Sequence, residues 1–137
     1  AAGALGYLED ERAFQPLCRA FYEDTEWLVR FSAAVALGNL KDIRAKTVLL
    51  AALKSSETVV QQAAIAALGE IGAIEAVNDI LAFAAHEDWL IRQRLAEALG
   101  NLPCEQSQAA LTFLAKDDHP QVSLAAQLGL TKLEQSL

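Results

Sequence analysis

Residues Asp24 to Leu40, DTEWLVRFSAAVALGNL, return three times along the chain at a constant interval of 31. The copies are Ser55 to Ile71 (SSETVVQQAAIAALGEI), His86 to Leu102 (HEDWLIRQRLAEALGNL) and Asp117 to Leu133 (DDHPQVSLAAQLGLTKL). A period between about 20 and 50 residues belongs to solenoids, propellers and arrays, where each unit buries its apolar face by stacking on its neighbours. The repeat therefore decides the fold before any other feature is weighed.

Each unit reads as a pair of helices. In the second helix the positions of Val29, Ala33, Leu37 and Leu40 form one face. Their equivalents are Val60, Ala64, Leu68 and Ile71, then Ile91, Leu95, Leu99 and Leu102, then Val122, Ala126, Leu130 and Leu133, and every one is apolar. The spacing predicts second helices over about 26–40, 57–70, 88–101 and 120–134. First helices are predicted over 11–23, from Asp42 onward, after Gly72, and over 105–116. Asp10 and Asp42 can cap helix starts, because a short acceptor side chain satisfies free N–H groups. Pro16 predicts a bend, Pro103 a helix end, and Pro120 a first-turn position. The glycine of Ala-Leu-Gly, at Gly38, Gly69 and Gly100, either lets neighbouring backbones approach or ends a helix. Thr131 breaks that series.

The expected fold is an all-α solenoid, one domain over residues 1–137, with four full repeats after an N-terminal half repeat. Gly6 and Leu8 match Gly38 and Leu40 with one extra residue of spacing, so the chain is expected to start within a second helix. Ala1 to Leu8 is apolar, whereas terminal repeats normally carry a polar cap. That predicts a piece of a longer array, with a processed N-terminus as the competing explanation.

Composition agrees with close helix packing: 53% of residues are hydrophobic and only 7% aromatic, with Ala and Leu dominant. The net charge of −7 and the lack of an Arg/Lys stripe argue against nucleic acid as a partner. No apolar run reaches the length of a membrane span, and a cytoplasmic protein is the simplest expectation. Cys18 falls on the position of Leu49, Ile80 and Leu111 and reads as a core thiol. Cys104 follows Pro103 in a connection. His86 and His119 lie at the same loop edge without ligands at metal-binding spacing, and read as solvated loop residues. No phosphate loop, nucleophile elbow or His-Glu-x-x-His pattern is present, so no catalytic residue is assigned and no enzyme is expected.

A connection carrying Asp24, with Val-Arg at 29–30 and then Ala-Ala and Ala-Leu-Gly, resembles a HEAT repeat. The 31-residue length, with Trp27 and Trp89 ahead of Val-Arg and Ile-Arg, is similar to the phycobilisome-lyase type of HEAT-like repeat. The phrases DTEWLVRFSAAVALGNL and HEDWLIRQRLAEALGNL are similar to cyanobacterial members concerned with phycobilisome degradation. The resemblance implies a right-handed solenoid and a scaffold that binds phycobiliproteins or their bilin. A bilin lyase or isomerase subunit, attaching the chromophore to a cysteine, is the enzymatic alternative, and a scaffold unrelated to pigments is the third. It also implies a polar ladder from Asp24 and Arg30. Here Asp24/Arg30 is intact, His86/Arg92 half kept, and Ser55/Gln61 and Asp117/Ser123 altered.

The face of the second helices opposite the core separates the repeats. It carries Trp27, Leu28, Phe31 and Val35 in the first set, and Thr58, Val59, Gln62 and Ala66 in the second. Trp89, Leu90, Gln93 and Glu97 form the third, and Pro120, Gln121, Leu124 and Leu128 the fourth. Second helices line the concave side in HEAT-type solenoids, so the resemblance places this face there. The first set is apolar throughout and, with Trp89 and Leu90, is the expected partner-binding surface. The competing reading is that neighbouring repeats cover these side chains.

Overall fold

Two layers of helices alternate along the chain in the computed structural model, which describes residues 13–22 and 26–135. The first layer holds α1 (residues 13–22), α3 (Lys46–Ala52), α5 (Val77–Ile80) and α7 (Glu105–Leu114). The second holds α2 (Trp27–Leu40), α4 (Thr58–Glu70), α6 (Trp89–Leu99) and α8 (Pro120–Gln135). Helix α2 packs on α4, α4 on α6 and α6 on α8, while α3 backs α4 and α7 backs α6 and α8. No strand occurs among the described residues. None of their helices is long and apolar enough to cross a membrane.

The second layer is drawn together by a seam of small residues. A Cβ placed on Gly38 would lie 2.8 Å from the Cβ of Ala67, and one on Gly69 2.8 Å from the Cα of Ala98. One on Gly100 would lie 3.0 Å from the Cα of Gly129. Ala67, Ala98 and Gly129 share one repeat position, so the four helices run parallel with a constant offset. Of the two roles open to these glycines, all three serve close approach, and Gly100 also stands at the end of α6. Past Gly38 and Gly69 the chain turns at other residues: Lys41, at φ 55°, donates its N–H to the Gly38 carbonyl, and Gly72 has φ 71°. Thr131, next in the glycine series, is exposed.

The core follows the 31-residue face. Val60, Ala64, Leu68, Ile91, Leu95, Leu99, Leu102, Val122 and Ala126 are fully buried. Val29, Leu40 and Leu130 are only half-buried, because α2 and α8 each have a described second-layer neighbour on one side only. Cys18 departs from its expected place in the core. It is half-buried and packs against the core's edge, where burial pushes the thiol's pKa up.

First-layer helices are the less regular ones. Helix α5 is a single turn between 3₁₀ turns at Ile74–Ala76 and Leu81–Phe83, and another 3₁₀ turn, Ile43–Ala45, leads into α3. Asp42 caps that turn, accepting the Arg44 N–H at 2.9 Å. Pro120 opens α8 at its first-turn position, and Pro103 lies between α6 and α7. Asp10 lies outside the described residues.

Candidate functional site: the aromatic edge of the second helices

The helix starts of the second layer are built by one rule with changing chemistry. Ser55, His86 and Asp117 occupy the same repeat position, and each side chain accepts the N–H two residues on. Ser55 Oγ takes Glu57 at 3.1 Å, His86 Nδ1 takes Asp88 at 3.0 Å, and Asp117 Oδ1 takes His119 at 2.9 Å. Asp88 Oδ1 then accepts from Leu90 at 3.0 Å, and His119 Nδ1 from Gln121 at 3.2 Å. Hydroxyl, imidazole and carboxylate thus all satisfy donors that a helix start leaves open. Both histidines are half-buried acceptors of backbone N–H groups, not the solvated loop residues their sequence context suggests.

A second repeat position closes each connection from the other side. Gln61 Nε2 donates to the carbonyls of Ser55 at 2.9 Å and Leu53 at 3.3 Å. Arg92 Nη1 donates to the His86 carbonyl at 2.6 Å, and Ser123 Oγ to the Ala115 carbonyl at 2.8 Å. The substitutions that interrupt the ladder in sequence therefore keep its local hydrogen bonds.

The charged rung itself runs between repeats. Arg92 Nε meets Asp117 Oδ2 at 2.8 Å and Nη2 meets Oδ1 at 3.2 Å, a two-point pairing of side chains only 18% and 11% exposed. Arg92 beside it holds the Asp117 carboxyl below the usual carboxylate range, helped by the His119 N–H and opposed by burial. Arg30 holds the repeat position of Arg92, and the position that Asp117 fills for Arg92 is Ser55 in the repeat after Arg30, a residue with no carboxylate. The Arg30 Nε is buried without a hydrogen-bond partner, and its guanidinium lies 4.8 Å from the centre of the Phe21 ring. Asp24 lies outside the described residues. The half-kept pair His86/Arg92 meets through the backbone: Arg92 donates to the His86 carbonyl, while the imidazole Nδ1 accepts the Asp88 N–H.

On the outward face, Trp27 and Leu28 are 48% and 55% exposed, and Val35 is exposed as well. Trp89 is 39% exposed and stacks on His119, with ring centres 3.9 Å apart and planes 8° from parallel. Phe31 packs against the core at half burial, and Leu90 is half-buried too. The face therefore splits into exposed Trp27, Leu28, Val35 and Trp89 and the partly covered pair Phe31 and Leu90.

A further surface, mixed polar and apolar, lies outside the expected one. A groove of about 410 Å³ runs between α6 and α8, lined by Gln93, Glu97, Gln121, Leu124, Leu128 and Lys132 among others. Leu124 and Leu128 are 54% and 62% exposed. The signal was available: these leucines stand where Gln93 and Glu97 stand one repeat earlier.

For chemistry the described residues offer little. No group of three or more His, Cys, Asp or Glu is arranged to hold a metal among them. Cys104, in the connection before α7, is half-buried with Sγ 3.3 Å from the Ser107 hydroxyl.

No curated protein matches the chain. Among solved structures it is similar to a chain of the complex of CpcE and CpcF of phycocyanin lyase from Nostoc sp. PCC7120. The TM-score is 0.65 at 23% identity, over 90% of this chain and 79% of that one. At that identity the likeness is one of fold. A sequence model of HEAT repeats matches residues 1–68 and 47–131. With that match over most of its length, and with parallel second helices stacked in a 31-residue register, the chain belongs to the HEAT-repeat family.

Proposed function

We propose that the chain is a recognition subunit for phycobiliproteins in a bilin-lyase type of assembly, working in the cytoplasm. It holds the pigment protein on the outward face of its second helices, through Trp27, Leu28, Val35 and Trp89 with Phe31 and Leu90 beneath. The observation that carries this reading is the likeness over 90% of the chain to a chain of a phycocyanin lyase complex. The surface agrees with it, since exposed aromatic and aliphatic side chains grouped on one face mark interaction sites. In this reading the chain binds and a partner subunit completes the transfer. Cys18 is half-buried with its thiol pKa raised, the wrong direction for a nucleophile.

The same thiol environment favours a second reading, a scaffold in phycobilisome turnover that binds the pigment protein and transfers nothing. One experiment separates the two. The chain is mixed with a phycobiliprotein, and with its bilin-free form plus free bilin, with and without the partner subunit from the same source. Co-sedimentation with the pigment protein and covalent bilin only when the partner subunit is present supports the lyase-type reading. Binding without bilin attachment in any mixture supports the scaffold. Absence of binding in every mixture overturns both.

A further inference from the structure

We infer that the partner meets this face with cationic side chains on an extended segment, two arginines or lysines about five or six residues apart, one on Trp27 and one on Trp89. The inference deepens the assignment of this face as the partner surface and rests on it. Trp27 and Trp89 hold the same repeat position two repeats apart, each as the first residue of its helix, with Thr58 between them. Their helices lie in one layer, joined through α4. Neighbouring helix axes are about 8–10 Å apart, which puts the two indoles about 16–20 Å apart. An extended chain advances about 3.3–3.6 Å per residue, so it covers that span in about five or six residues.

Charge selects the occupant. Exposed Glu57, Glu87 and Asp118 stand along this row of helix starts, and exposed Glu26 directly precedes Trp27. Lys54, Lys116 and Arg30 are the cations of this edge, Arg30 lying over Phe21, while Arg92 is committed to Asp117. At the starts of α4, α6 and α8 the side chains of Ser55, His86, Asp88, Asp117 and His119 take up backbone N–H groups, and at α2 the Glu26 carboxylate offsets the dipole that a cation would meet. His119 covers one face of Trp89 and the indole is still 39% exposed. An indole face with carboxylates nearby suits a guanidinium or ammonium, and the planar guanidinium suits it better.

The two tryptophans are the only ones in the chain, so intrinsic emission reports directly on this edge. The full chain is titrated with three Gly/Ser peptides: two arginines about five residues apart, two adjacent arginines, and two glutamates at the wider spacing. The expected result is a saturable emission change with the widely spaced arginines, about tenfold tighter than with adjacent ones, and none with glutamates. The variant E57Q/E87Q/D118N, with circular dichroism and melting unchanged, should weaken that binding by about tenfold. Equal response to all three peptides, indifference to the triple variant, or preference for a leucine-bearing peptide sensitive to Leu124→Asp overturns the inference. The same variants separate it from the functional proposal. Phycobiliprotein binding that is lost in Trp27→Ala but unaffected by E57Q/E87Q/D118N overturns the cationic contact and leaves the proposal standing. Peptide binding as expected, with no phycobiliprotein bound, supports the contact and overturns the proposal.

Discussion

Arg30 and Arg92 hold one repeat position in two surroundings. Arg92 is paired with Asp117 across a repeat junction and tied to the His86 carbonyl. Arg30, at the junction of α2 and α4, has Ser55 rather than an aspartate at the matching position, lies over Phe21, and leaves one buried nitrogen unbonded. Both junctions nevertheless bring a glycine hard against the next helix: a Cβ on Gly38 would lie 2.9 Å from the Ala67 Cα, and one on Gly100 3.0 Å from the Gly129 Cα. The difference teaches that the small-residue seam and the apolar face set the stacking, while the charged rung adjusts one junction locally.

The largest effect that tests this should come from the shared elements. Leu68→Ala or Leu99→Ala removes a fully buried side chain and should cost about 2–5 kcal/mol through the cavity left behind; an unchanged melting curve would break the comparison at its base. Gly69→Ala should cost about 1–3 kcal/mol by driving a methyl into the Ala98 backbone, despite alanine's better helix propensity. Chemical denaturation that finds Gly69→Ala stabilising would show that the seam relaxes freely.

The rungs should then separate. Asp117→Asn should cost about 1–3 kcal/mol, since it strands a largely withdrawn guanidinium. Because the Asp117 carboxyl is held below its ordinary value of 3.8, the unfolded chain takes up its proton first. The stabilisation is then complete above about pH 5 and is lost as pH falls through the folded-state pKa. Melting temperatures of Asp117→Asn and the parent should therefore begin to converge as pH falls below about 5, and go on converging as it falls through the folded-state pKa; curves that stay parallel would remove Asp117 from the acid limb. Arg30→Gln should cost less than about 1 kcal/mol, because Gln61 already fills the same position in the next repeat. Trp27→Ala should be similarly mild for stability while weakening phycobiliprotein capture. Collapse of the fold with capture intact per folded molecule would reassign Trp27 to packing.

The helices and their buried face were legible in sequence because both repeat at 31, and chain periodicity translates directly into stacking. Leu37, Leu68 and Leu99 needed no further information. A ladder between turns was legible with Arg92 as a member, but Asp117 as its partner was not, because Asp117/Ser123 reads as an altered pair within its own repeat. Residues equivalent by period are not thereby the ones that touch. His86 and His119 were legible as loop residues but not as caps, since hydroxyl, carboxylate and imidazole acceptors look unrelated in sequence and do the same work at a helix start. Phe31 and Leu90 belong to the outward helical face by angle, yet their burial depends on neighbours that periodicity does not weigh.

The seam of Gly38, Gly69 and Gly100 makes the molecule a graduated ruler. Every junction it closes adds one fixed increment, so any two side chains at the same repeat position are separated by a whole number of steps. Duplicating the unit from Ser55 to Ala85 would move Trp27 and Trp89 from two increments to three without altering either one's immediate surroundings. Binding length thereby becomes a quantity set by counting units, independent of how tightly each end grips.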